Sequence, residues 1–179
     1  MTTSMYRSIL LCLIGISCSA IADVAQLPPE LASLPNVSFH EPNLIASGRL
    51  QPGDIAKIAA AGVHEVIDLS VDSETPDFDE AAAVEQAGMR YRNLPISGAA
   101  DLGDKNVRQF DEMISNAGTS LVLIHCASSN RVGALMALRA ATLKGASPEA
   151  AIEVGRKWGL SSLEPAVRER LDTPGDRDR

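Results

Sequence analysis

Cys126 and Arg131 stand with only Ala127, Ser128, Ser129 and Asn130 between them, in the stretch LVLIHCASSNRVGALMAL from Leu121 to Leu138. A thiol and a guanidinium at that spacing suggest nucleophilic attack on an electrophilic centre of an anionic ligand. A thiolate is the reactive form of cysteine, and it is favoured by nearby positive charge and by unpaired peptide N–H groups. Arginine presents a planar fork that holds two oxygens of an oxyanion at once. Ser128 and Ser129 add hydroxyl donors.

The elements around this pair give it a definite place. SLVLIH is a short apolar run with the character of a buried strand, and RVGALMALRAATLKG reads as a helix closed by Gly145. Cys126 then lies at the carboxyl end of a strand and Arg131 near the amino end of the next helix, where open α/β sheets form ligand crevices. The amides of Ala127 to Arg131 have no strand partner there. With the first helical turn they form a nest for an anion.

The rest of the chain alternates in the same way. NLIASG, HEVIDLS and MRYRNLPI are strand candidates. Between them, QPGDIAKIAAAG has Pro52 in a first helical turn and Gly62 as a stop, and DFDEAAAVEQAG is helical to Gly88. DKNVRQFDEMISNAG places Val107, Phe110, Met113, Ile114 and Ala117 on one helical face, with Gly118 as its stop. Ser147, Pro148 and Glu149 give an N-cap with proline at the first helical position, for a helix reaching about Trp158. A last helix is expected over residues 162–171. The predicted fold class is α/β, a single domain whose central, largely parallel sheet is flanked by helices.

Length and composition fit one domain. The chain has 179 residues, 45% of them hydrophobic and 22% charged, with aromatics at 3%, so aliphatic side chains must fill the core. Residues 1–22 have the form of a cleaved secretory signal: one positive charge at Arg7, an apolar run, and Ala20-Ile21-Ala22 before the cut. The expected product is exported to the periplasm, with an extended lead-in over 23–42, the domain over 43–171 and a flexible tail over 172–179. Cys12 and Cys18 leave with the signal, so Cys126 remains alone and no internal disulfide can form. A lone thiol in an oxidising compartment is either buried or used. Loss of Arg7 leaves 15 basic residues against 23 acidic, a net of −8, which argues against nucleic acid or an anionic membrane as a partner.

The order strand, His125, Cys126, loop, Arg131, helix resembles the active site of the cysteine-dependent tyrosine and dual-specificity phosphatases. ASGRLQPGDIAKIAAAGVHEVIDLS, YRNLPISG and LVLIHCASSNR together resemble the phosphatase-like domain of beta-lactamase hydrolase-like proteins, a branch often described as sulfur transferases. The resemblance runs from about residue 43 to 144. It implies the dual-specificity phosphatase fold, a catalytic Cys126 and Arg131, and an anion-binding loop of Ala127, Ser128, Ser129 and Asn130. It also implies a small-molecule thiol, persulfide or phosphate ester as substrate, without a cofactor or metal.

Two departures shape the expected chemistry. Cysteine phosphatases have five residues between Cys and Arg, and this chain has four. A tighter ring of donors suits a single sulfur atom on Cys126 better than a tetrahedral phosphate, so sulfur transfer to a thiol leads, and phosphate ester hydrolysis follows. An inactive anion-binding module is the third reading. The relatives also carry Gly at the place of Ser129 and Ser or Thr at the place of Val132. Without that glycine, Asn130 is the residue expected to take a positive φ. Asp101 falls where phosphatases keep a general acid, and Asp104 caps the helix from Lys105 as an alternative to that role. His125 is expected to orient the loop by hydrogen bonding. His40 and His64 have no neighbouring ligands, and Trp158 and Leu160 read as packing residues. Arg156, Lys157, Arg168 and Arg170 form a solvated face, from which one could reach the mouth of the pocket.

Overall fold

The computed structural model describes residues 26–173; the expected signal over 1–22 and the last six residues of the tail lie outside the described residues. Five strands form one sheet: β1 Ser38–Glu41, β2 Leu44–Ser47, β3 Glu65–Asp68, β4 Arg90–Asn93 and β5 Val122–His125, in the order β1-β2-β5-β3-β4. All neighbours run parallel except the β1/β2 pair, a hairpin at the edge. Parallel strands need crossovers, and the helices supply them: α1 Ile55–Ala60, α2 Glu80–Gln86 and α3 Asp104–Asn116 before β5, then α4 Asn130–Thr142, α5 Pro148–Lys157 and α6 Glu164–Asp172 after it.

Helices on both faces explain why β2, β3 and β5 read as continuous buried runs. On one face Ile67, Val122 and Ile124 pack with Phe110 of α3 and Val132, Leu135 and Met136 of α4. On the other, Ile45, Val66 and Leu123 pack with Ile58 of α1 and Val84 of α2. Side chains alternate along β5, so His125 and Cys126 leave the sheet on opposite faces.

The segment expected as an extended lead-in belongs to the fold. Pro29–Leu31 makes a 3-10 turn, Leu31 and Leu34 are buried, and Ser38–Glu41 is strand β1. Its prolines obscured the alternation of Val37 and Phe39, which pack against the α1/α2 core. The last helix starts at Glu164, two residues later than expected, with proline in its first turn.

Helices α4 and α5 approach so closely that glycine is required where they meet. A Cβ on Gly133 would lie 2.1 Å from the Leu160 amide nitrogen, and one on Gly155 2.8 Å from the Gly133 carbonyl oxygen. This contact sets the depth of α4 and, with it, the position of the loop that leads into it.

Candidate active site

Cys126 ends the central strand, and its amide donates to the Ser47 carbonyl of β2 at 3.4 Å. Its side chain is among the core residues of the α3/α4 face, 1% exposed, and it is the free cysteine of the described chain. Ala127 and Ser128 are exposed, and their amides donate to no acceptor among the described residues. Ser128 bridges to Gly48, and the Ala127 carbonyl accepts from the Arg49 amide at 3.3 Å, so the loop leans on the segment after β2.

The positive φ falls on Ser129, at 62°, and not on Asn130 as the sequence suggested. Ser129 tolerates this strained conformation because it is buried and its hydroxyl donates to the Asn36 carbonyl at 3.1 Å. Asn130 instead opens α4, and its side chain clamps the turn before α6. Its amide oxygen accepts from the Ser161 and Leu163 amides at 2.8 and 3.3 Å, and its nitrogen donates to the Ser162 hydroxyl at 2.7 Å.

Arg131 is held by a residue that sequence reasoning missed. Its two terminal nitrogens donate end-on to both carboxylate oxygens of Glu74 at 2.7 and 2.6 Å, and one also reaches the Leu69 and Ile96 carbonyls at 3.1 and 3.0 Å. The Nε–H has no partner among the described residues, so the side edge of the guanidinium stays available to an anion. Hydrogen bonding to Glu74, and the nearby Cys126 sulfur, raise the Arg131 pKa further. In return the Arg131 hydrogen bond holds the Glu74 carboxyl below its ordinary range. Glu74 sits in a 3-10 turn 57 residues upstream of Arg131, beyond the reach of any local pattern.

His125 does not orient the loop. Its ring lies on the opposite face from Cys126, with Nε2 2.6 Å from Glu80 Oε1 and 3.4 Å from Asp68 Oδ1. All three residues are buried, at 1%, 5% and 6% exposure, and both ring nitrogens and Glu80 Oε1 make no hydrogen bond among the described residues. Asp68 also accepts from the Ser70 amide at 2.7 Å and the Tyr91 hydroxyl at 2.9 Å. Burial, and then the Asp68 charge, push the Tyr91 phenol well above its ordinary value, which keeps it a proton donor. The ligand atoms of these two carboxylates and the imidazole lie within 4.8 Å of one another, a donor set of the kind a divalent ion takes. An Asp or Glu inside a helix or strand signature gives no sign of burial in sequence, and this cluster was not foreseen.

Asp101 stands at the end of a short 3-10 turn, and its carboxylate accepts from the Ser97 amide at 2.7 Å and from the Ser97 hydroxyl. Those bonds hold its pKa below the ordinary carboxylate value, the wrong direction for a group that must carry a proton at neutral pH. Asp104 is the first residue of α3, with Gly103 as the cap. Trp158 and Leu160 are core residues. Arg156 pairs with Glu164 and Glu153, and Arg168 with Glu149 and Glu164.

A nucleophile at a strand end, open amides and an anchored guanidinium can bind an anion and attack an electrophilic sulfur or phosphorus beside it. No curated protein sequence matches the chain. A phosphatase-like protein of the DUF442 group from Shewanella putrefaciens superposes with a TM-score of 0.62 at 23% identity, covering 79% of this chain and 94% of that one. A phosphatase-group protein from Neisseria meningitidis gives 0.62 at 27% identity, over 76% and 96%. TpbA of P. aeruginosa gives 0.61 at 23%, over 79% and 88%. The central sheet and flanking helices are those of the dual-specificity phosphatase-like fold, and the chain is similar to cysteine-dependent enzymes of that kind. The family model for the beta-lactamase hydrolase-like protein, phosphatase-like domain, matches residues 36–143, and the chain belongs to that family.

Proposed function

We propose that this phosphatase-like enzyme transfers sulfur. The Cys126 thiolate attacks the outer sulfur of a persulfide or of thiosulfate. An S–S bond forms on Cys126 as the donor's S–S bond breaks, and the donor leaves as a thiolate or sulfite. An acceptor thiolate then takes the outer sulfur and restores Cys126. Thiolates and sulfite are weak enough bases to leave without being protonated, so neither half-reaction needs a general acid.

The observation that carries this reading is the four-residue loop, which turns into α4 at Asn130 directly after the left-handed bend at Ser129. Two further facts support it. Asp101 is held ionised by Ser97, and Val132 is buried where a hydroxyl would help a thiolate leave phosphorus. The test is steady-state transfer from glutathione persulfide or thiosulfate to a thiol acceptor. Ping-pong kinetics that vanish in Cys126→Ser support the proposal. Hydrolysis of an aryl phosphate without transfer overturns it.

Phosphate ester hydrolysis is the second reading. The free side edge of Arg131 favours it, since that edge would hold two phosphate oxygens, and TpbA of P. aeruginosa has been solved with phosphotyrosine. Residues 1–22 support an exported location, so either chemistry would act on periplasmic or extracellular substrates.

A further inference from the structure

A cleft of about 400 Å³ lies against the catalytic loop. Ser128 and Ser129 form one wall, the segment before and into β1 contributes Ser38, and the end of α5 and the turn after it contribute Arg156, Lys157 and Ser161. Its size suits a small organic molecule. Its chemistry is polar and unsatisfied. Ser38 Oγ is buried without a hydrogen-bond partner, and the hydroxyls of Ser128 and Ser161 donate to nothing among the described residues. Arg156 is already matched by Glu164 and Glu153, whereas Lys157 makes no ion pair among the described residues. An uncommitted cation beside a reactive loop stands out in a chain this acidic.

Backbone strain is concentrated here as well. Among the described residues, the non-glycine positions with positive φ are Asn36 and Ser129, which both line the cleft and are joined by the Ser129 hydroxyl. Strain of this kind persists where the surroundings enforce it, often at ligand clamps.

We infer that this cleft is a subsite for the body of the sulfur-carrying substrate, and that Lys157 recognises a carboxylate on it remote from the reacting sulfur. The ligand class is a low-molecular-weight thiol or persulfide of amino-acid or peptide type. Thiosulfate has neither a carboxylate for Lys157 nor an organic body to fill the cleft. The inference deepens the sulfur-transfer reading and rests on it for the identity of the reaction, though not for binding.

Two measurements on the full mature chain test it. In transfer kinetics, Lys157→Ala raises KM for glutathione persulfide about tenfold, as loss of one charge-assisted contact predicts, and leaves kcat unchanged. Lys157→Arg restores most of the loss, and KM for thiosulfate and for cysteamine persulfide, which lacks a carboxylate, does not move. Equal effects on all three donors, or none on glutathione persulfide, overturn the subsite. In calorimetry, the unreactive probe S-methylglutathione binds wild type and loses about tenfold in affinity in Lys157→Glu. No binding to wild type, or unchanged binding in the variant, also overturns the subsite. Binding that depends on Lys157 in a protein that transfers no sulfur retains the subsite and rejects the transfer reading.

Discussion

Residues 125 and 126 are adjacent in the chain and opposite in role. On one face of the sheet His125 is enclosed with Asp68 and Glu80 out of reach of water, and both ring nitrogens and Glu80 Oε1 are left without a hydrogen-bond partner among the described residues. On the other, Cys126 faces a loop with open amides and an arginine whose end is tied to Glu74 and whose side edge is free. Closed clusters contribute structure; open ones leave donors for a substrate. The difference teaches that polarity near a reactive cysteine is not itself evidence of catalysis, and that the decisive feature is what remains both unpaired and open to solvent.

The largest effect should come from breaking the closed side. His125→Ala empties a fully buried ring site between two buried carboxylates and should cost about 2–5 kcal/mol in urea unfolding. If stability changes by less than about 1 kcal/mol, the cluster is not held together by the imidazole. On the open side, Asn130→Ala removes three hydrogen bonds between the start of α4 and the turn before α6. A loss of about 1–2 kcal/mol is expected, together with lower transfer activity because the loop is no longer anchored.

Glu74 links charge to stability with a definite sign. Arg131 lowers its folded pKa, so the stabilisation is complete above the ordinary carboxylate pKa and disappears as pH falls through the lowered value. Wild type should therefore lose stability on acidification below the ordinary range more steeply than Glu74→Gln, as read by chemical denaturation at a series of pH values. Parallel curves would show that the pair adds nothing to folding. The smallest effect is expected at Asp101: Asp101→Asn should change transfer rates by less than about twofold, whereas a general acid would lose about a hundredfold.

Much of this was legible beforehand because it is local. The buried run ending at His125, the Ser147 cap, which accepts from the Ala150 amide, and the glycine stops at Gly62, Gly88, Gly118 and Gly145 all follow from residues within a turn of one another. What the sequence concealed depends on distant chain segments. Glu74 reaches Arg131, Glu80 reaches His125, and Asn36 supports the bend at Ser129, each across a separation that no periodicity records. The placement of the positive φ failed for the same reason. Asn130 has the better intrinsic tolerance, but its side chain is needed by Ser161 and Leu163, so the strain moved to a serine that packing could hold.

The most direct measurement is a single-turnover reaction of the protein with glutathione persulfide, quenched and read by mass spectrometry of the peptide containing Cys126. The account predicts a gain of one sulfur atom on that peptide, removed by added thiol and absent from Cys126→Ser. An unmodified Cys126 in a protein that instead accumulates a cysteinyl phosphate from an aryl phosphate would contradict it.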